Sequence, residues 1–170
     1  MLFLGVCIVS VAGGYHIHQR EYIKDLLKEW GLQEAKGSEN LKEESAQYVP
    51  KEAASEDFWG THGEVEEEIE KTDEDIKKAQ AVAGALNWLC TRTRPDLSFA
   101  VSRISSMATL APLGAAALAK KVLRYLIATG NLGINYLGGK ENEDEKKLAC
   151  YCDASFAPHG TISCTGLCVM

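Results

Sequence analysis

One run of the chain, from Ala79 to Tyr136, constrains the fold most, because it reads as three short helices followed by a strand. Pro95 separates the first helix from the second, and the third runs from Pro112 to Gly130. Apolar residues recur at helical spacing and predict the inner faces: Ile76, Ala79, Ala83, Leu86 and Cys90 in the first helix, Leu97, Val101, Ile104 and Ala108 in the second, and Leu118, Val122, Tyr125 and Leu126 in the third. The small residues Ala79, Ala83 and Gly84 predict that another helix approaches closely.

The same run carries six bases and one acid, although the whole chain has a net charge of −6. The bases are Arg92, Arg94, Arg103, Lys120, Lys121 and Arg124. Arg103 falls outside the apolar stripe of its helix, and the last three bases lie within about one turn of theirs. Such a cluster is typical either of a solvated face or of a surface that grips phosphates, and charge and periodicity alone favour neither.

The N-terminal residues predict a β-hairpin followed by a helix. Residues 1–12 are apolar enough to suggest a signal peptide, but no basic region precedes them and they are too short to span a bilayer. The Gly13-Gly14 pair instead predicts a turn between two strands. A helix from Gln19 to Trp30 follows, with Gly31 placed to close it. His16 and His18 share one strand face; with no third ligand at a suitable spacing, we expect surface histidines rather than metal ligands.

The middle of the chain loses all periodicity. Residues 38–78 hold fourteen acids and five bases, so residues 35–71 predict an acidic, disordered linker. A solvated loop is favoured over the alternative that this acidic strip competes with nucleic acid for the basic residues. Order resumes at Thr72, which forms a predicted capping box with Asp75.

The C-terminal residues predict strands: 133–137, 148–154 and 162–170, the last two forming a hairpin that no helix covers. Both ends of the chain read as cut within strands, which favours a piece of a larger protein. None of the six cysteines forms a C-x-x-C pair, so buried thiols in a reducing, intracellular compartment are favoured over metal ligands or disulfides. The fold class is α+β, with a hairpin and helix in 1–34, the linker in 35–71, a three-helix unit in 72–137 and a truncated hairpin in 138–170.

These residues carry a resemblance to a known family. The run from Thr91 to Arg103 resembles the segment that follows the reverse transcriptase palm in copia-type retrotransposon Pol polyproteins. Further stretches match in the same order: Phe3–Gly5, Tyr22–Leu27, Trp30–Gly31, Lys120–Leu126, Gly130, Leu132–Ile134, Tyr136, Tyr151–Ser155 and Ser163–Gly166. The last two resemble the opening hairpin of an RNase H domain, and the helices resemble the thumb and connection.

The resemblance implies a parent protein that copies RNA into DNA and cleaves RNA–DNA hybrids with Mg²⁺. The paired palm aspartates of that family would lie outside this chain. Asp153 alone matches an RNase H carboxylate, so it is the candidate catalytic and metal-ligating residue. One carboxylate does not hold two divalent ions, so we expect this chain to bind no Mg²⁺ and to be catalytically incompetent alone.

The resemblance also shifts the balance towards a phosphate-facing surface. The six bases would then contact the backbone of an RNA–DNA or DNA duplex. The further expected partners are the missing palm, fingers and RNase H portions of the parent polyprotein, with no membrane partner and a location in the cytoplasm or nucleus. Two rival hypotheses stay open. The chain could be a non-enzymatic module whose first helical seam binds a partner helix, or a functionless relic of a degenerate element.

Overall fold

The computed structural model describes residues 1–41, 72–138, 150–155 and 164–169. The strands are β1 (Leu2–Phe3), β2 (Val6–Val11), β3 (Gly14–His18), β4 (Ile134–Leu137), β5 (Cys150–Ser155) and β6 (Cys164–Val169). The helices are α1 (Arg20–Glu29), α2 (Asp73–Arg92), α3 (Ser98–Met107) and α4 (Pro112–Thr129), with a 3₁₀ turn at Pro95–Leu97. By contact, the described residues fall into two compact units, one formed by 1–41 and 72–138 and the other containing the β5–β6 hairpin.

An antiparallel sheet of order β1-β2-β3-β4 joins the three N-terminal strands of the first unit to β4 at its C-terminal end. Its β2–β3 hairpin confirms the predicted turn, where Gly13 adopts a φ of +80° that favours glycine. The sequence did not predict that β4 pairs with β3, which aligns Gly14 with Leu137 and Ile17 with Ile134. The predicted units 1–34 and 72–137 therefore belong to one compact body.

The helix predicted from Gln19 to Trp30 is confirmed as α1. Its apolar stripe buries Ile23 and Leu26, and Gly31 follows with a φ of +63° in the left-handed region. Helix α1 packs against α4, on the helical core of this unit.

Helix α2 begins at the predicted capping box. The Asp75 N–H donates to Thr72 Oγ1 over 3.2 Å, and the Thr72 N–H donates to Asp75 Oδ2 over 3.1 Å. The buried stripe is Ala79, Val82, Ala83, Leu86 and Leu89, so it gains Val82 and Leu89, whereas the predicted Ile76 and Cys90 are only half-buried. The reason is that α2 packs against both α3 and α4, which needs a broader apolar face than a two-helix seam. Gly84 is exposed, and a Cβ there would meet open space, so the prediction that it admits a close helix is wrong.

Helices α3 and α4 complete a three-helix core in which each pair is in contact. The inner residues predicted for these two helices are buried, with the exception of Tyr125, which is half-buried. The buried ones are Leu97, Val101, Ile104, Ala108, Leu118, Val122 and Leu126. The prediction that Arg103 lies outside the apolar stripe of its helix is wrong, because only 8% of this residue is exposed.

The predicted linker is described only at its start. Lys36 to Ser38 lie against α4, with the Ser38 N–H donating to the Arg124 carbonyl over 2.9 Å. Residues 42–71 of the prediction lie outside the described residues. In the second unit, β5 and β6 pair antiparallel with Asp153 opposite Gly166, which confirms the predicted C-terminal hairpin.

Candidate nucleic-acid interface

Helix α4 presents three cations to solvent. Its buried stripe contains Leu118 and Val122, so the side chains of Lys120, Lys121 and Arg124 are directed away from the core, and all three residues are exposed. The helix contains no acidic residue. The structure thus places these three predicted residues together on one surface, which we name the α4 basic face.

Arg124 is held in place by a short segment of chain, which we name the strap (residues 36–38). The Arg124 Nε–H donates to the Lys36 carbonyl over 3.0 Å, and the Arg124 carbonyl accepts from the Ser38 N–H. Within the described parts of the chain, the two terminal nitrogens of this guanidinium make no hydrogen bond. They are the groups that form paired bonds to a phosphate.

Arg92 is exposed near the end of α2. Its guanidinium carbon lies 4.6 Å from the centre of the Trp88 ring, one turn earlier on the same helix. Such a cation–π contact orders the side chain while leaving the edges of the guanidinium able to donate. Arg92 therefore stays a candidate for phosphate contact.

The prediction that Arg94 belongs to an exposed basic surface is wrong, because only 1% of this residue is exposed. Its Nε and Nη2 donate to the two carboxylate oxygens of Asp96 over 3.0 and 2.8 Å. Its Nη1 and Nη2 donate to the carbonyl and hydroxyl of Thr129 over 3.0 and 2.9 Å. With its donors committed inside the protein, Arg94 ties the end of α2 to the end of α4. We name these contacts the Arg94 clamp.

Asp96 is the acid of this clamp and is partly exposed, at 39% of its side chain. Desolvation raises the pKa of its carboxyl, but the hydrogen bonds and charge of Arg94, with the Tyr125 hydroxyl at 3.2 Å, outweigh it. The pKa of Asp96 therefore lies below its usual range. A carboxylate held ionised in this way is a structural partner for Arg94.

Arg103 is also removed from the surface set. It is buried on α3 and already interacts within the protein. The helix turns its side chain towards the core side, which a count of apolar spacing alone does not reveal. Of the six predicted bases, four are therefore exposed.

Asp153 does not form a metal site with the residues around it in the structure. It is exposed on β5, opposite Gly166. Across the described residues, there is no group of three or more histidine, cysteine or acidic residues that could hold a metal ion. A pair of Mg²⁺ ions needs more protein oxygens than this one carboxylate, so the donor set present does not fit such a centre.

The two strand histidines share a face as predicted, with ring centres 5.3 Å apart. His16 Nδ1 lies 2.8 Å from Asn135 Oδ1 on β4. His18 is buried rather than on the surface, and burial, followed by the charge of Arg20, lowers its pKa. Cys7 and Cys90 are half-buried and Cys150 and Cys152 are exposed, all four as free thiols, so the prediction of buried thiols is wrong for these described cysteines.

Reasoning from the sequence missed two features of this interface. Trp88 precedes Arg92 by four residues, and this spacing on a helix could have indicated the stacking contact. The strap has no signal of its own, because its residues belong to a stretch without periodicity. Among the helices that the structure describes, none has the length and apolar character to cross a membrane.

Comparison with known proteins gives two relatives. The retrovirus-related Pol polyprotein from transposon RE1 of Arabidopsis thaliana is 32% identical over 155 residues, which are 91% of this chain and 9% of that polyprotein. A protein of transposon Ty5-1 from Saccharomyces cerevisiae is 34% identical over 88 residues, 52% of this chain and 26% of that protein. No family model matches the chain, and no solved structure matches it. The chain spans less than two thirds of either relative.

Proposed function

Because this chain belongs to the copia-type retrotransposon Pol polyproteins and matches a part of their length, we propose that it contacts the backbone of an RNA–DNA or DNA duplex. The parent polyprotein would carry out RNA-directed DNA synthesis and hybrid cleavage. This chain contributes a thumb-like surface and the start of an RNase H-like domain. It performs neither reaction alone, because Asp153 is its single matching carboxylate.

The α4 basic face carries this proposal. Three exposed cations lie within five residues on a helix with no acid, in a chain whose net charge is −6. Contacts of this kind recognise phosphates without reading base sequence, and each releases a counterion. Arg92 lies near the end of α2 that the Arg94 clamp joins to α4, and it supplies a fourth cation.

The test is charge reversal. Changing Lys120, Lys121 and Arg124 to Glu removes the face, and binding to a 20-base-pair RNA–DNA hybrid is followed by fluorescence anisotropy at several salt concentrations. The matched control reverses Lys28, Lys77 and Lys78, which are exposed elsewhere and change the net charge by the same amount. We expect the first variant to lose binding and the control to keep most of it. Equal losses would show that only net charge matters, and unchanged affinity would refute the proposal.

The partners within the polyprotein have their own support. The four strands of the first sheet contain no charged side chain. They nevertheless expose large apolar residues: Leu2, Phe3, Val9, Val11, Tyr15, Tyr136 and Leu137. Val9 and Val11 lie on one face of the sheet and Tyr15 and Tyr136 on the other, so both faces expose apolar side chains of the kind that mark packing surfaces. We therefore assign this sheet to packing against other segments of the same polyprotein, and co-expression with them should raise the melting temperature.

The structure counts against the rival interaction module. The apolar stripe of α2, which would have to bind a partner helix, is already covered by α3 and α4. The relic hypothesis predicts broad unfolding, whereas a capped, closed helical core predicts a cooperative transition. Thermal unfolding followed by circular dichroism separates these two outcomes.

A further inference from the structure

The strap is the strongest candidate for an added role because it holds one cation of the α4 basic face and no other. The bond from Arg124 Nε to the Lys36 carbonyl uses one donor of the guanidinium, and among the described residues no hydrogen bond uses its terminal nitrogens. In the Arg94 clamp, by contrast, Nε and both terminal nitrogens are committed to Asp96 and Thr129. The two arginines differ in what their surroundings leave available for a ligand.

We propose that the strap positions Arg124 for phosphate contact, so that Lys36 and Gly37 act as positioning residues for the α4 basic face. This inference rests on the proposed function. Holding the side chain in advance lowers the conformational entropy that binding would otherwise cost. An arginine fixed through Nε presents its terminal nitrogens as a fork suited to phosphate oxygens.

Gly37 makes this arrangement possible. A Cβ at this position would lie 3.0 Å from the Ala128 nitrogen, 3.1 Å from the Ala128 Cβ and 3.2 Å from the Ile127 Cγ2. A Cβ alone would require these atoms to shift by a few tenths of an ångström, and the two further carbons of a valine add to the crowding, so we expect Gly37→Val to displace the strap from α4. Leu32 and Leu41, on either side, pack against the helical core and fix the ends of the segment.

The strap acts through position and not through its own charge. Glu34 and Glu39 flank the strap, so residues 34–39 together carry two acids and one base. A segment of that composition would not attract a polyanion by itself. Its contribution to binding has to pass through Arg124.

The main comparison uses four variants of the full chain, Gly37→Val, Arg124→Gln, their combination and Gly84→Val, and Arg124→Lys, Lys120→Gln and Lys121→Gln serve as further tests. Gly84 is the matched control because it is exposed on α2 and a Cβ there meets open space. Binding to the same hybrid duplex is measured by anisotropy across a salt series. The amide exchange rate of Ser38, whose N–H bonds to the Arg124 carbonyl, reports independently whether the strap has left α4.

Loss of one phosphate contact reduces the slope of log affinity against log salt concentration by about 0.9. Taking 1 M salt as the reference at which the contact contributes nothing, this corresponds to about eightfold lower affinity at about 0.1 M salt. We expect that loss for Arg124→Gln, a loss of about threefold or more for Gly37→Val, and no further loss in the combination. Gly84→Val should bind like the parent. Arg124→Lys, which keeps the charge but has no Nε–H, should also lose affinity.

Two results would overturn the inference and are distinct from failure of the proposed function. Additive losses in the combined variant would show that the strap acts independently of Arg124. Full affinity in Gly37→Val despite faster exchange at Ser38 would show that position is irrelevant. If Lys120→Gln and Lys121→Gln also leave binding unchanged, the proposed function itself fails.

Discussion

The Arg94 clamp predicts that two partners of one ion pair contribute unequally to stability. Arg94 is 1% exposed and Asp96 is 39% exposed, although their closest atoms are 2.8 Å apart. Changing Asp96 to Asn leaves a buried cation with an uncharged neighbour. Changing Arg94 to Met fills the same space with apolar atoms and leaves a carboxylate that water can reach.

The magnitudes follow from these environments. Removing one partner of a buried ion pair costs about 3–5 kcal/mol. Water can reach Asp96, and Arg94 keeps its bonds to Thr129, so we expect about 3 kcal/mol for Asp96→Asn, a melting temperature lower on the order of 15 °C. Arg94→Met should cost about 2 kcal/mol, because Thr129 loses two hydrogen bonds from a charged group, although its carbonyl still accepts from the Leu132 N–H. The double variant should be no less stable than Asp96→Asn, because the two changes remove the same interaction.

The assay is urea unfolding followed by circular dichroism, at pH 7 and at acid pH. Glu21→Gln is the control, because its pair with Lys24 is also 2.8 Å long but exposed, and water screens such a pair, so it should cost far less than Asp96→Asn. The lowered pKa of Asp96 means that its stabilisation is present at neutral pH and is lost as the pH falls below about 4. Asp96→Asn should lack this loss. A cost for Asp96→Asn no larger than that of the control would refute the reasoning.

Three shorter predictions concern the frame around the interface. Thr72→Ala removes the capping box and should lower the unfolding free energy by about 1 kcal/mol, measured by urea unfolding. Gly133→Ala should disrupt β3–β4 pairing, because its Cβ would collide with the Ile17 carbonyl, and faster amide exchange in β4 would show this. The pKa of His18 is lowered in the folded state, so stability should fall as the pH drops below about 6.5. His18→Asn should flatten that dependence, and an unchanged slope would exclude His18 as its source.

Local signals carried most of what the sequence could predict. The capping box at Thr72, the glycine turn before β3 and the end of α1 at Gly31 each depend on residues a few positions apart. All three predictions are confirmed. The β3–β4 pairing joins residues more than a hundred positions apart, and β4 is too short to specify its partner from its own pattern.

The predicted interface failed where charge was taken as a sign of exposure. Arg94 lies between the end of α2 and Pro95, where no helical period assigns it to a face. Its burial depends on Asp96 from the following turn and Thr129 from the end of α4. For Lys120, Lys121 and Arg124 the apolar stripe of α4 did assign a face, and their exposure was predicted correctly.

The Thr93–Asp96 part of the run that resembles the retrotransposon family therefore has a structural explanation independent of any ligand. In the run from Thr93 to Asp96, Thr93 donates its hydroxyl to buried Gln19 over 3.0 Å, and the clamp joins the next turn to Thr129. These bonds connect the start of α1, the end of α2 and the end of α4. If exposed cations contact the backbone, buried Arg94 fixes the orientation of the helix that carries them. Arg94→Met should then weaken duplex binding through α4, with a salt slope unchanged, because no phosphate contact is removed.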